Sequence, residues 1–304
     1  MTSTTKMSTP SLQNMLKYIN TEPIRTLCAL PGDRLAVGSD FIAIEVWDLA
    51  PVKDRPESLG SFSSGTKSLC LLPENKLVAT ISDTVAVLDL TKPSYRTVSA
   101  VLDGNGTYGP GHHYSADCVC ATPDGRVVSG GGYYEIIVWR PTEKKPDRII
   151  YPPAMNTTAI CCLPDGRIVA AHNTGFLTVW NIDTGAKLAD IRAASKSVAA
   201  ICVISGNRVA SGSEDGHVRI WNMDTNECEK MYEVGSPVRC VCVLPNGSLA
   251  AGSENGDIQI WNTKGDSIHM WAAHHTPMTC LCVLEGGRLA SGSEDGLVKL
   301  WIVE

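Results

Sequence analysis

One short pattern returns along this chain at a near-constant interval, and few folds are open to a chain built that way. Residues 238–262 read VRCVCVLPNGSLAAGSENGDIQIWN, and residues 278–301 read MTCLCVLEGGRLASGSEDGLVKLW. The motif tryptophan recurs at Trp47, Leu88 (a substituted copy), Trp139, Trp180, Trp221, Trp261 and Trp301, at intervals of 41, 51, 41, 41, 40 and 40 residues. A fixed period in this range marks a repeat architecture, in which each unit buries its faces against its neighbours. Seven equal units arranged in a ring make a platform rather than an obvious catalyst.

Each unit reads strand, turn, strand, turn, strand. Val238 to Leu244 is an apolar, Val-rich run of strand length. Pro245-Asn246-Gly247 ends it, since Pro presets φ and Gly tolerates positive φ. Leu249 to Ser253 is a second strand, dense in small residues. Asn255-Gly256, like Asp215-Gly216 and Asp295-Gly296, is a hairpin signal before the alternating strand Ile258 to Trp261. A more variable fourth strand follows, such as Glu229 to Tyr232, and helical periodicity is absent.

Twelve cysteines would suggest disulfides in a small secreted chain. Seven of them instead hold one place in every repeat: Cys28, Cys70, Cys120, Cys161, Cys202, Cys242 and Cys282. That is the mark of a small, buried, apolar slot. Cys118, Cys240 and Cys280 lie two residues earlier in their strands, where Cα atoms stand about 6.6 Å apart, near the limit of disulfide reach. Core packing is the expectation; a Zn²⁺-thiolate cluster of Cys240, Cys242, Cys280 and Cys282 is the alternative. Reduced thiols point to the cytoplasm or the nucleus. A net charge of −6 argues against a general nucleic-acid binder. No apolar run reaches membrane-spanning length, and MTSTTKMSTP lacks the apolar stretch of a secretory signal. Residues 1–14 are expected to form a disordered tail and 15–304 one repeat domain.

The repeats resemble the WD40 family, whose marks are a Gly-His pair, a Trp-Asp pair and an Asp-Gly hairpin in each unit. Gly111-His112 and Trp47-Asp48 match directly, while Trp180-Asn181, Trp221-Asn222 and Trp261-Asn262 are degraded copies. The resemblance covers the chain after its tail. It implies an all-β, seven-bladed propeller with four-stranded antiparallel blades. The chain stops soon after a third strand at Trp301. Lys17-Tyr18-Ile19 precedes Pro23-Ile24-Arg25 as Met231-Tyr232-Glu233 precedes Pro237-Val238-Arg239, so an N-terminal strand is expected to complete the last blade and close the ring. The family also shares a buried network of His, Ser/Thr, Asp and Trp, which His274, Ser291, Asp295 and Trp301 match by spacing. The third repeat offers His112, Ser129 and Trp139, with Tyr133 in the place of Asp. The resemblance makes this set structural rather than a hydrolase triad.

With that topology, the turns between second and third strands share one rim, the top, with the connections into the first strands. Asp40, Glu214, Glu254 and Glu294 fall there in blades that are neighbours in a closed ring, with Arg25, Lys67 and Arg239 beside them. An acidic arc of this kind suits a basic peptide; a merely solubilising face is the alternative. Opposite, the long interval holds a Gly-rich insertion within 91–117. Tyr108, Tyr114, Tyr133 and Tyr134 are expected to form an aromatic patch in this region, in a chain with only 6% aromatic residues. His112-His113 lacks a third metal ligand, so no metal and no cofactor are expected.

The expected role is a non-enzymatic scaffold or adaptor, a monomeric propeller within complexes, binding peptide or protein segments and neither nucleic acid nor membrane. A ubiquitin- or substrate-recognition subunit in a degradation pathway is the alternative, and an enzyme with a site at the central channel a more distant one.

Overall fold

The computed structural model describes residues 10–17, 22–40, 44–50, 55–59, 62, 64–92, 98–102, 115–143, 146–153 and 155–303. These form seven four-stranded antiparallel sheets, the blades, with strands a to d in sequence order. Blades 1 to 6 span residues 24–59, 66–102, 116–150, 157–192, 198–233 and 238–272. Blade 7 takes strands a to c from 278–302 and strand d from Ser11–Lys17. Each strand a touches the strands a of the blades before and after it, and the last touches the first. The a strands are therefore innermost and the ring is closed. Among the described residues no helix is long and apolar enough to cross a membrane.

Burial explains the composition of each repeat. Seven apolar clusters fill the seven gaps between adjacent blades, so a blade is buried on both faces. Strand b feels this most: Val127–Gly131, Leu249–Ser253 and Leu289–Ser293 are buried at every position. Small residues are needed there because the blades converge. A Cβ on Gly292 would stand 2.6 Å from Cys280 Sγ and 2.7 Å from Ile24 of blade 1.

The closing strand differs from the sequence expectation in position. It runs Ser11–Lys17, pairing Lys17 with Leu297 and Ser11 with Ile302, and not around Lys17-Tyr18-Ile19. Tyr18 and Ile19 lie outside the described residues. Ser11 to Asn14, assigned above to the tail, are therefore part of the propeller.

The seven repeated cysteines share one register on strand a, each opposite a small or β-branched residue of strand b, as Cys28 opposite Ala36 and Cys242 opposite Ala250. All twelve thiols are free. Burial pushes Cys70 and Cys202 up to about 12 and Cys282 up to about 11, so they stay protonated and weakly nucleophilic at neutral pH. Among the described residues no three His, Cys, Asp or Glu side chains are placed to hold a metal ion.

Candidate functional site

The turns between strands b and c are tied to the entry of strand a in the same blade. Glu214 N–H donates to Ser197 O at 2.9 Å, Glu254 N–H to Pro237 O at 2.9 Å and Glu294 N–H to Pro277 O at 3.1 Å. Both loop sets thus share one rim. Position two of strand a carries, blade by blade, Arg25, Lys67, Asp117, Thr158, Ala199, Arg239 and Thr279. These residues ring the axial mouth, and a hollow of about 420 Å³ opens between Arg25, Lys67, Ala199, Arg239 and Glu294.

The acidic residues of the rim do not stand alone. Arg239 reaches Glu214 Oε1 of blade 5 with Nη1 and Glu254 Oε2 of its own blade with Nη2, both at 3.0 Å. Arg25 holds both oxygens of Asp40, its Nε donating to Oδ1 at 2.7 Å, and lies 3.9 Å from Glu294 of blade 7. Lys67 pairs with Asp117 of blade 3 at 2.6 Å. The arc is thus a pair of clamps, each setting one guanidinium between two carboxylates from neighbouring blades. Two carboxylates to one guanidinium leave each clamp one negative charge in excess. Half-exposed pairs of this kind contribute only about 0–1 kcal/mol to stability, so their main effect is orientation.

The opposite side of the rim is described only in part. Tyr108 and Tyr114 fall outside the described residues, as does His112, and the Tyr133 side chain is not described. Tyr134 ends a 3-10 turn with φ 64 and is 42% exposed. A left-handed backbone is uncommon for an aromatic residue and is kept only where its surroundings impose it.

The blade 7 network is complete. Trp301 Nε1 donates to Ser291 Oγ at 2.8 Å, Ser291 Oγ meets His274 Nε2 at 2.8 Å, and His274 Nδ1 meets Asp295 Oδ2 at 3.3 Å. The donor inventory fixes the direction: the Ser291 hydroxyl donates to Nε2 and the imidazole donates from Nδ1 to the carboxylate. Burial lowers the His274 pKa, which keeps the ring neutral. Ser291 is fully buried and occupied from both sides, so it is no nucleophile.

Other blades rebuild this network in ways the spacing alone did not reveal. In blade 4, Ala170 replaces the serine, and Trp180 donates instead to Thr178 Oγ1 at 2.8 Å, which also meets His172 Nε2 at 2.7 Å. In blade 5, Ala194 stands where blade 7 has His274, and Asp215 pairs instead with Arg219 at 2.9 Å, with His217 Nδ1 3.5 Å away. Burial opposes its charge, yet the Arg219 guanidinium and Ser195 N–H hold its carboxyl at about 2.

Burial lowers His172 to about 4, below the ordinary value of about 6.5. The unfolded chain therefore binds the proton first. The stability this histidine contributes is complete above pH 6.5 and is lost as pH falls toward 4, by up to about 3 kcal/mol. The slope of melting temperature against pH over this window is expected to flatten in His172→Gln; an unaltered slope would show that His172 is not responsible.

Residues 187–222, 226–262 and 265–301 match the family model described as "WD domain, G-beta repeat". Among curated proteins none matches the chain. Among solved structures, the crystal structure of the WD40 beta propeller domain of Doa1 is similar over 97% of both chains, with a TM-score of 0.85 and 19% identity. At that identity the likeness is one of fold.

Proposed function

We propose that this chain, a seven-bladed WD40-type propeller with three recognised WD40 repeats, is a non-enzymatic scaffold or adaptor whose top rim receives a peptide or protein segment within a multiprotein complex. WD40 propellers are generally interaction domains, which gives the reading its class. The observation that carries it further is the pair of clamps. Arg239 occupies one oxygen each of Glu214 and Glu254 and leaves the other oxygen of each carboxylate available. Both glutamates are partly exposed beside the axial mouth. A Lys or Arg side chain from a partner meets preset acceptors there, and two charges in excess favour a basic segment. Tyr134, exposed in a strained turn across the rim, supplies an apolar anchor. Twelve free thiols suit a reducing compartment, the cytoplasm or the nucleus.

The test compares capture from native lysate by the wild type, by Glu214→Lys/Glu254→Lys/Glu294→Lys, and by Tyr133→Ala/Tyr134→Ala. Partners of the rim are expected to be lost from the charge variant and to weaken as salt rises. The charge variant should keep a melting temperature close to that of the wild type, because surface pairs contribute little. Identical partners for all three proteins would sink the reading.

A further inference from the structure

Blades radiate from an axis, so their faces diverge outward and each gap must be plugged near the circumference. On strand d one position lies opposite the residue just before the motif tryptophan: Arg148 opposite Val138 in blade 3, Ala189 opposite Val179 in blade 4, and Lys230 opposite Ile220 in blade 5. Arg148 crosses the gap and donates to Asp183 O at 2.6 Å and Thr184 O at 3.2 Å in blade 4. Lys230 crosses the gap on the other side, donating to Lys264 O of blade 6 at 3.1 Å. Ala189 has nothing to send across. Two residues on, Tyr232 of blade 5 stacks on Trp261 at 5.3 Å, and Trp271 of blade 6 meets Trp301 at 5.5 Å. In blade 4 that place is held by Ile191, opposite Leu177.

A shallow lateral hollow of about 490 Å³ remains at the outer end of the gap between blades 4 and 5, beyond the apolar cluster that fills the gap itself. Trp221, Cys228 and Met231 form one wall, and Ala193 and Ala194 the other. Met231 is 59% exposed, and a flexible thioether adapts well to an incoming side chain. Two arginines flank this apolar hollow, and they differ. Arg219 is neutralised by Asp215. Arg192 lies over the Phe176 ring at 4.9 Å and donates to Thr174 O at 3.0 Å, and among the described residues it meets no carboxylate. Strand Glu227–Glu233, which carries Cys228 and Met231, is the last of its sheet, so its outer backbone edge is open to a further strand.

We infer that the hollow between blades 4 and 5 is a second docking site, separate from the rim, for an extended protein segment that sets an aliphatic or aromatic side chain beside a carboxylate. The apolar side chain packs against Trp221 and Met231 where they line the hollow, and the carboxylate takes the free donors of Arg192.

The probe is a fluorescein-labelled acidic hexapeptide with a central Leu-Phe pair, measured by anisotropy against the full chain. Its controls are the same peptide with a central Ala-Ala, and one with Lys in place of every acid. Arg192→Glu removes the anchor charge, and Ile191→Tyr copies the plug of blade 5. Each peptide control and each variant is expected to weaken binding by about tenfold or more. In methyl-labelled protein the Met231 ε-methyl resonance should shift on titration, which a peptide held at the rim would not cause. Equal affinity for the three peptides, unaltered affinity in Arg192→Glu, or no saturation up to about 1 mM would overturn the assignment. Arg192→Glu lies on the surface and decides alone if Ile191→Tyr does not fold. Failure here leaves the rim reading standing, because the lysate test uses variants on another face.

Discussion

Removal of residues 1–17 is expected to lower the melting temperature by roughly 10 °C and to drive the protein toward aggregates. Among the described residues Ser11–Lys17 is the only strand d that is not contiguous with its own blade, and it pairs along the whole of Leu297–Ile302. Each ladder hydrogen bond contributes about 1 kcal/mol net, so several kcal/mol are lost with the strand. In a domain of this size each kcal/mol moves the midpoint by about 2–4 °C. Truncation also converts Leu297–Ile302 into an open edge that carries Val298, Leu300 and Trp301, a template for pairing with a second copy. Removal of residues 1–9 keeps the strand and serves as the control. Thermal melts with size-exclusion profiles check this, and a truncated monomer melting within about 2 °C of the wild type would refute closure by this strand.

The fold was legible in the sequence because the period and its turns repeat, and every unit must bury both faces. The closing strand was legible in kind but misplaced by two residues. Counting back from Ile24, as from Val238 in blade 6, sets Tyr18 against Tyr232. The ladder instead puts Lys17 opposite Leu297 where Glu233 stands opposite His217, so Leu16 is the counterpart of Tyr232. The connection into blade 1 is two residues longer than its counterpart in blade 6. A slip of two keeps each side chain on its face, which is why the apolar pattern did not expose it. The blade 7 network was legible because all four members stand at the family's spacing. The blade 4 version was not, because its hydroxyl moves from strand b to Thr178 on strand c, opposite Ala170. At the rim, the acidic residues and the basic residues beside them were visible, and their pairing into clamps was not. Arg239 meets Glu214 across 25 residues and Glu254 across 15, and it is the packing of blade 6 against blade 5 that puts all three together.

Trp301→Ala is expected to cost about 3–5 kcal/mol, the range for emptying a buried tryptophan site. Trp301 is 6% exposed, packs edge-on against Trp271 at 5.5 Å and belongs to the cluster between blades 6 and 7. Its indole N–H also starts the chain that runs through Ser291 and His274 to Asp295. Volume and hydrogen bonding separate in two milder variants. Trp301→Phe keeps an aromatic ring but leaves the buried Ser291 oxygen without its donor, a loss of about 1–3 kcal/mol beyond packing. Ser291→Ala strands both the indole and the imidazole. If the network is one unit, the double variant Trp301→Phe/Ser291→Ala costs less than the two single changes together, with a coupling of about 0.5–3 kcal/mol. Urea denaturation with unchanged m-values measures it. Strict additivity would mean that Trp301 acts by volume alone and that the bond to Ser291 contributes nothing to the closure of the ring.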